Sequence, residues 1–409
     1  MLARGLWTRG WRKDVAQLMA EHPALSSAEF TSEKRQVPLD ELALFFLRLG
    51  TTAFGGPAAH IAIMEDELVR RRQWLSREKF LDLLGASNLI PGPSSSELAI
   101  HIGYLCGGWR GLLIAGSCFI LPAAMMVAGL GWLYIRFGRL PATESILYGI
   151  KPVVIAVVLQ ALWGLGRTAV KSTFLGFVAL VSLVLSAFGF HPLLLLLVAG
   201  GVACVPSLRI SRVSFSFLPS VTMGNGIFAT TASFSLVSIF LIFLKLGATV
   251  FGSGYVLLAF LRADLVTHRA WLTDAQLIDA VAVGQVTPGP VFTTATFIGF
   301  ILGGIRGAVV STVGIFLPAF LLVGVSGPLV PLIRKSKPAG AFLDGVNVAS
   351  LALMAAVTWQ FGRASLVDAL TALLAVASSI ALLRFRVNSA WLVFIGAAIG
   401  LITTALHFR

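Results

Sequence analysis

The sequence predicts an all-α polytopic membrane protein made of two homologous halves, and three observations carry the prediction. The 409 residues are 57% hydrophobic and only 12% charged, with a mean hydropathy of +0.90. A soluble domain carries about 25% charged residues, so this chain has too little polar surface to give to water. Its apolar runs are helix-length, unlike the alternating segments of about 10 residues that build an outer-membrane barrel. Finally, the chain repeats itself 197 positions on: Gly50, Phe54, Gly55, Trp74, Asp82 and Pro91 recur as Gly247, Phe251, Gly252, Trp271, Asp279 and Pro288. Chance similarity between apolar helices yields Leu, Ala and Val matches, not Gly, Trp, Asp and Pro in register.

The net charge of +13 is spread thinly over loops. That suits helix ends beside the headgroups of anionic membrane lipid and argues against nucleic-acid binding. Cys106, Cys118 and Cys204 are odd in number and lie in apolar sequence, which fits packed thiols and neither a disulfide framework nor a metal cage. No Gly-rich loop followed by Lys-Ser/Thr offers an ATP site, and no cofactor is expected.

Residues 1–38 stand apart. Trp7, Arg9, Trp11, Arg12 and Lys13 make a basic, aromatic patch without the apolar core of a signal peptide. It reads as an interfacial amphipathic helix, with a disordered tail as the alternative. The first repeat occupies 39–206: a helix over 39–62, then a loop carrying Arg70, Arg71, Arg72, Trp74, Arg77 and Lys79. Two short segments, 80–90 and 93–107, flank a Pro-Gly-Pro, and helices follow over 110–136, 144–168, 171–188 and 190–206. A Ser-, Thr- and Gly-containing linker over 207–232 leads to the second repeat, 233–409, with segments over 233–260, 277–287, 290–304, 307–327, 342–362, 365–383 and 389–407.

The segments beside each Pro-Gly-Pro are too short to cross a bilayer, which takes about 20 apolar residues, and proline breaks the helix ladder. Two readings are open. A re-entrant hairpin gives five crossings per half and makes the halves inverted repeats; one broken helix that crosses gives six and a parallel repeat. The hairpin is preferred. Positive-inside reasoning then places the loops with Arg70 to Lys79, Arg110, Arg167, Lys171, Arg209, Arg212, Arg334, Lys335, Lys337, Arg384 and Arg386 in the cytoplasm. The basic N-terminal tail falls on the other side, so this orientation carries an internal conflict.

Unwound backbone at membrane depth is tolerated where protein buries it or where it lines a wet cavity. The motifs read NLIPGPSSSE (Asn88 to Glu97) and QVTPGPVFTT (Gln285 to Thr294). Pro93 and Pro290 are expected to open helices, and free amides with hydroxyls at a helix start make an anion site. Substrate-binding candidates are therefore Pro91, Gly92, Ser94, Ser95 and Ser96 in the first copy, and Gly289 and Thr293 in the second. A pair of Pro-Gly-Pro kinks with no ligand is the alternative. Asn88 and Gln285 are paired amides before the breaks, either donors to an oxyanion or helix caps. Arg48 and Lys245 share a repeat position inside apolar helices. As paired cations they could balance a dianion; otherwise both snorkel to an interface. Glu97 and His101, one turn apart, form either a proton-carrying pair or a structural hydrogen bond. Arg167 and Arg363 match at helix ends, where headgroup contact is the simpler role. Gly107, Gly108 and Gly111 recur as Gly303, Gly304 and Gly307, as close helix packing requires.

At these motifs the chain resembles the chromate ion transporter (CHR) family, in its long two-domain form. The resemblance rests on FGGPAAH (Phe54 to His60), RRRQWLS (Arg70 to Ser76), NLIPGPSSSELAIHIGYLCGGWRG (Asn88 to Gly111) and LPA (Leu121 to Ala123). The second half repeats them as FGSG, WLT, VTPGP, IGFILGGIRG and LPA. The similarity spans roughly 39–409. It implies a multi-pass cytoplasmic-membrane protein that exports chromate, confers resistance to it, is driven by the proton gradient, and has halves in opposite orientation. The second copy departs from the first with Val291-Phe292 for Ser94-Ser95 and Thr294 for Glu97, so the second break is expected to gate if the first one binds.

The resulting expectation is a secondary transporter, and no enzyme, whose partners are chromate or a similar tetrahedral oxyanion, protons and membrane lipid; a homodimer is left open. Sulfate as the anion, or an uncoupled anion channel on the same scaffold, are the alternatives. An intramembrane enzyme is disfavoured, because no Ser–His–Asp or His-rich metal constellation stands at useful spacing.

Overall fold

A chain this apolar must satisfy its own backbone hydrogen bonds, and every regular element among the described residues is helical. The computed structural model describes residues 37–54, 56–87, 90–138, 141–205, 235–250, 256–326, 337–385 and 387–407. The first repeat contains α1 (Leu39–Thr52), α2 (Gly56–Met64) running into a π-helical stretch (Glu65–Arg71), α3 (Arg77–Ser87), α4 (Ser94–Phe137), α5 (Pro141–Ala169), α6 (Thr173–Ala187) and α7 (Pro192–Cys204). The second contains α8 (Leu236–Thr249), α9 (Leu257–Leu261) with its own π-helical stretch (Arg262–His268), α10 (Asp274–Val286), α11 (Thr294–Ser326), α12 (Lys337–Ser365), α13 (Ala369–Arg384) and α14 (Ser389–His407). The two series correspond element by element.

Local chemistry sets many of the boundaries. Ser172 and Ser235 precede apolar runs and accept the Leu175 and Ser238 amides, as N-caps do. Thr273 with Gln276, and Asp368 with Thr371, close reciprocal capping boxes at α10 and α13. Each π-helical stretch ends two residues before a positive φ, at Gln73 (52°) and Ala270 (49°). The tryptophan that follows turns its amide back onto the helix: Trp74 to Leu68 O and Trp271 to Leu265 O, both at 2.8 Å.

α4 is not one rod. Gly107 (φ −140°, ψ 17°) and Gly108 (φ 59°, ψ −147°) interrupt it, and Gly303 and Gly304 do the same in α11. A β-carbon on Gly103 would lie 2.4 Å from Gly111 O, whereas eight residues of unbroken helix span about 12 Å. The chain therefore folds back at the Gly-Gly pair, which supplies a backbone conformation only glycine adopts freely. The expected division into 93–107 and 110–136 agrees with this.

Three expectations need correction. The single helix expected over 39–62 is interrupted: α1 ends at Thr52, Ala53 is extended (φ −85°, ψ 105°), and α2 begins at Gly56. The helix expected over 233–260 likewise ends at Thr249, with Val250 extended (φ −80°, ψ 112°). Pro93 caps α4 from outside, and Pro290 leads into a 3-10 turn, Val291–Thr293, so neither proline is the first residue of an α-helix. Residues 1–36 of the N-terminal extension, the 207–232 linker and Asn88 lie outside the described residues.

The physical reason for the interrupted first helices is that their terminal carbonyls serve the other repeat. Gly92 N–H donates to Val250 O at 2.7 Å, and Gly289 N–H donates to Ala53 O at 3.0 Å. Each Pro-Gly-Pro is thus pinned to the broken first helix of the opposite half, in the exchange pattern of an approximate two-fold axis. The exchange continues outward: α5 packs on α13 and α14, and α12 packs on α6 and α7, while α4 and α11 meet across the middle. Gly149 lies against Gly396 and Gly345 against Ala199, close approaches that a larger residue would block.

Large apolar side chains, including Leu121, Met125, Trp163, Ile305, Val325, Trp359 and Trp391, stand exposed on the outside. Among the described residues, four helices are long and apolar enough to cross a membrane: Ser94–Phe137, Glu144–Ala169, Val291–Val325 and Pro338–Ser365. Such an exterior belongs in lipid, so the protein is a multi-pass membrane protein.

Candidate anion site

The first break is where polar groups accumulate inside this apolar body. α4 starts at Ser94, and the Ser96 and Glu97 amides both turn back to Pro93 O, at 2.8 and 3.0 Å. The earliest amides of any helix have no acceptor within it, and the helix dipole adds partial positive charge there. Ser95, Ser96, Glu97 and His101 are all buried. Glu97 folds back over the Pro-Gly-Pro: at Gly92 (φ +140°) a β-carbon would sit 2.3 Å from Glu97 Oε1. Among the described residues, Ser96 Oγ, both Glu97 oxygens and His101 Nε2 are buried without a hydrogen-bond partner. Native interiors pair nearly all such groups with protein or ordered water, so these four atoms are open to a further partner.

His60 joins the cluster and was missed as a site residue by the sequence reading. It is fully buried, with Nδ1 3.4 Å from Ser95 Oγ and Nε2 3.2 Å from Ala53 O. Its ring stands edge-on to Phe119 at 5.2 Å. Because Ala53 O also accepts from Gly289, His60 links the first hydroxyl run to the backbone of the second break. The signal was available: a histidine in a helix-forming motif whose repeat counterpart is Leu257.

The second break keeps the backbone and loses this chemistry. Val291 and Phe292 are buried where the first copy has Ser94 and Ser95. Thr293 donates its hydroxyl to Pro290 O at 2.7 Å and Thr294 donates to Val291 O at 2.8 Å. A hydroxyl has one proton to give, so Thr293 is not the free donor expected of it. The Gly92 and Gly289 amides are likewise spent on the opposite repeat, which makes them structural pins. Pro91 is half-buried at the bend and Gln285 is half-buried just before the second one.

The two expected cations also differ. Lys245 is held by Asp264 at 2.9 and 3.0 Å, and Arg269 approaches the same carboxylate at 3.7 Å. Its charge is already matched. In the first repeat Glu67, the counterpart of Asp264, is taken by Arg72 at 3.0 Å and Arg71 at 3.6 Å. Arg48 is exposed on α1 and has no side-chain partner among the described residues. The pairing expected between Arg48 and Lys245 is therefore not a pairing of like environments.

Comparison with known proteins bears on what this framework carries. Residues 41–205 and 237–401 each match the family described as chromate transporter. The chain is 35% identical to the chromate transport protein of Cupriavidus metallidurans, over 90% of this chain and 94% of that one. It is 33% identical to the chromate transport protein of Pseudomonas aeruginosa, over 81% and 83%. With the probable chromate transport protein of Synechococcus elongatus it shares 32% identity, over 87% and 90%. No solved structure matches the chain. Two family domains, one in each half, and relatives aligned end to end lead to one conclusion: this chain belongs to the chromate transporter family, whose members are transporters and not enzymes.

Proposed function

We propose that the protein exports chromate across the cytoplasmic membrane in a cycle coupled to the proton gradient, with the anion handled at the first Pro-Gly-Pro break. The observation that carries this reading is the set of unpartnered buried atoms on Ser96, Glu97 and His101, beside a helix start and across from the opposite repeat. Arg48 is the cation available to a dianion, since Lys245 is occupied by Asp264. The candidate set narrows to Ser94, Ser95, Ser96, Arg48 and His60, with Asn88 and Gln285 as amide donors from the flanks.

Electrostatics supplies the coupling. A tetrahedral dianion and an ionised carboxylate cannot share one dry break, because like charges at a few ångströms repel by several kcal/mol at an effective dielectric of about 20. Anion binding is therefore linked to a proton on Glu97. An inside-negative potential adds about 2.3 kcal/mol per charge per 100 mV in favour of exit, so the potential itself assists export of a dianion.

The reciprocal bonds between Gly92 and Val250 and between Gly289 and Ala53 support inverted repeats with a re-entrant hairpin in each, the arrangement in which secondary transporters build midplane sites from broken helices. Accessibility labelling at 63–79 and 261–276 should then report opposite membrane faces; labelling from one face would contradict it. Function is tested in proteoliposomes, with chromate against sulfate and with or without a pH gradient. Uphill chromate movement that collapses with a protonophore supports the reading. Equal movement without a gradient would assign an uncoupled channel, and preference for sulfate would change the anion.

A further inference from the structure

A second polar cluster lies beside the other break, and the anion pathway does not use it. Asp279 on α10 is buried. Lys151 on α5 reaches its Oδ1 at 2.9 Å, and the Tyr134 hydroxyl at the end of α4 donates to Oδ2 at 2.9 Å. Tyr134 also stacks edge-on against Phe297 at 5.3 Å, so it touches both arms of the second Pro-Gly-Pro. A pocket of about 360 Å³ opens onto this cluster, lined by Asp279, Lys151, Tyr134, Glu144, Tyr148 and Ser365 among others. Ser365 is 4% exposed, and its Oγ has no partner among the described residues.

The charge of this lining excludes an oxyanion. Lys151 is one cation against Asp279 and Glu144, and Tyr148 donates to a further carboxylate, Asp368. The Thr371 amide, then the Tyr148 hydroxyl, hold Asp368 below the usual carboxylate range, which keeps an anion next to the lining residue Val367. Such a pocket concentrates cations. A metal ion needs several oxygens around it, whereas Asp279 Oδ2 already accepts from Tyr134 and Oδ1 faces the Lys151 ammonium as an ion pair without accepting a hydrogen bond. A proton needs one oxygen and displaces one partner.

The cluster has no equivalent at the first break. Asp82 is the repeat counterpart of Asp279 and is exposed; the positions matching Tyr134 and Lys151 hold Val330 and Asn347. The aspartate is duplicated and its partners are not.

We propose that Asp279, with Lys151 as its resting counter-ion and Tyr134 as its hydrogen-bond donor, is a proton-binding station reached from this pocket, separate from the anion site and coupled to it through the second break. A proton taken up at Asp279 Oδ1 neutralises the carboxylate and releases Lys151; loss of the proton restores the ion pair. Because α10 leads directly into the second Pro-Gly-Pro, whose Gly289 is pinned to Ala53 beside His60, the change is transmitted to the first break. The inference rests on the reading of the protein as a proton-coupled transporter, and it adds to Glu97 a second proton-binding group outside the anion site.

The test uses full-length protein in proteoliposomes with a pH dye inside. Asp279→Asn should lower chromate-evoked proton flux at least 10-fold, while chromate–chromate exchange, which needs no net proton movement, stays within about twofold of the parent. Asp279→Glu should restore the flux. Unchanged proton flux in Asp279→Asn would overturn the proposal, as would equal loss of flux and exchange in both variants, which would leave Asp279 a structural role. Flux that follows a sodium gradient and ignores pH would also overturn it. An infrared pH-difference spectrum without chromate separates this idea from the substrate assignment. A protonated-carboxyl band present in the parent and absent in Asp279→Asn supports the station even if chromate is not the anion; a spectrum identical in both refutes it.

Discussion

The two Pro-Gly-Pro breaks share a backbone and differ in almost every side chain that follows. Both glycines have positive φ, both donate to the extended residue that ends the opposite repeat's first helix, and both pack against the opposite Leu-Pro-Ala segment, Gly92 on Ala319 and Gly289 on Ala123. Past the second proline the copies part. The first has Ser95, Ser96, Glu97 and His101, with His60 alongside; the second has Phe292, Thr293, Thr294 and Ile298, with Leu257 in place of the histidine. Past the first break Ser96, Glu97 and His101 carry buried atoms without a partner among the described residues, whereas past the second the Thr293 and Thr294 hydroxyls are satisfied locally. The shared frame is the part through which each half holds the other.

The sharpest way to break this comparison is at Glu97. Glu97→Gln should reduce pH-driven chromate transport by at least 10-fold while leaving anion binding, and the binding should lose its dependence on pH. In the parent, affinity should fall as pH rises, because the proton that lets the dianion approach is then missing. Isothermal titration at several pH values reads the sign.

Next in size are the pins. Ala at Gly92 or Gly289 meets a positive φ, which costs about 1–3 kcal/mol. At Gly289 the added carbon meets Ala123 Cβ at 2.6 Å, whereas at Gly92 it meets Glu97 Oε1 at 2.3 Å. Both variants should lower thermal stability, but only Gly92→Ala should lose transport beyond its loss of folded protein. Equal loss of transport per folded molecule would contradict the asymmetry.

The cations sharpen the comparison further. Lys245→Ala leaves Asp264 with Arg269 alone and should cost about 1.5–3 kcal/mol of stability, the range for hydrogen bonds to charged groups. Arg48→Ala should leave stability unchanged and weaken chromate binding severalfold. Unaltered affinity would assign Arg48 to the interface, its side chain reaching for water or headgroups. The smallest effect is expected at Thr293→Val, where the hydroxyl already serves Pro290: transport should stay within about twofold, a shift that initial-rate measurements resolve.

Much of this frame was legible in the sequence because its signals are backbone signals. Gly, Pro and Trp in register mark turns and breaks wherever they fall, so the repeat, the Gly107–Gly108 reversal and the helix spans could be read directly. The interruption at Ala53 could not, since its cause is an acceptor for Gly289 that arrives from the other half of the chain. For the same reason Lys245 looked like Arg48 until Asp264 was found beside it. Glu97 stood out as the one carboxylate in the first Pro-Gly-Pro motif. His60 was marked only by the Leu257 that replaces it in the second repeat, and its contacts to Ser95 and Ala53 are not encoded in any spacing.

The central claim is that the groups handling the anion follow the first Pro-Gly-Pro while the threonines that follow the second serve the frame, and one paired measurement addresses it. Chromate-evoked proton flux is recorded in proteoliposomes for Ser96→Ala/Glu97→Gln and for Thr293→Val/Thr294→Val, each normalised to inserted protein. The account predicts flux reduced at least 10-fold in the first double variant and kept within about twofold in the second. Equal losses in both, or a larger loss in the second, would contradict it.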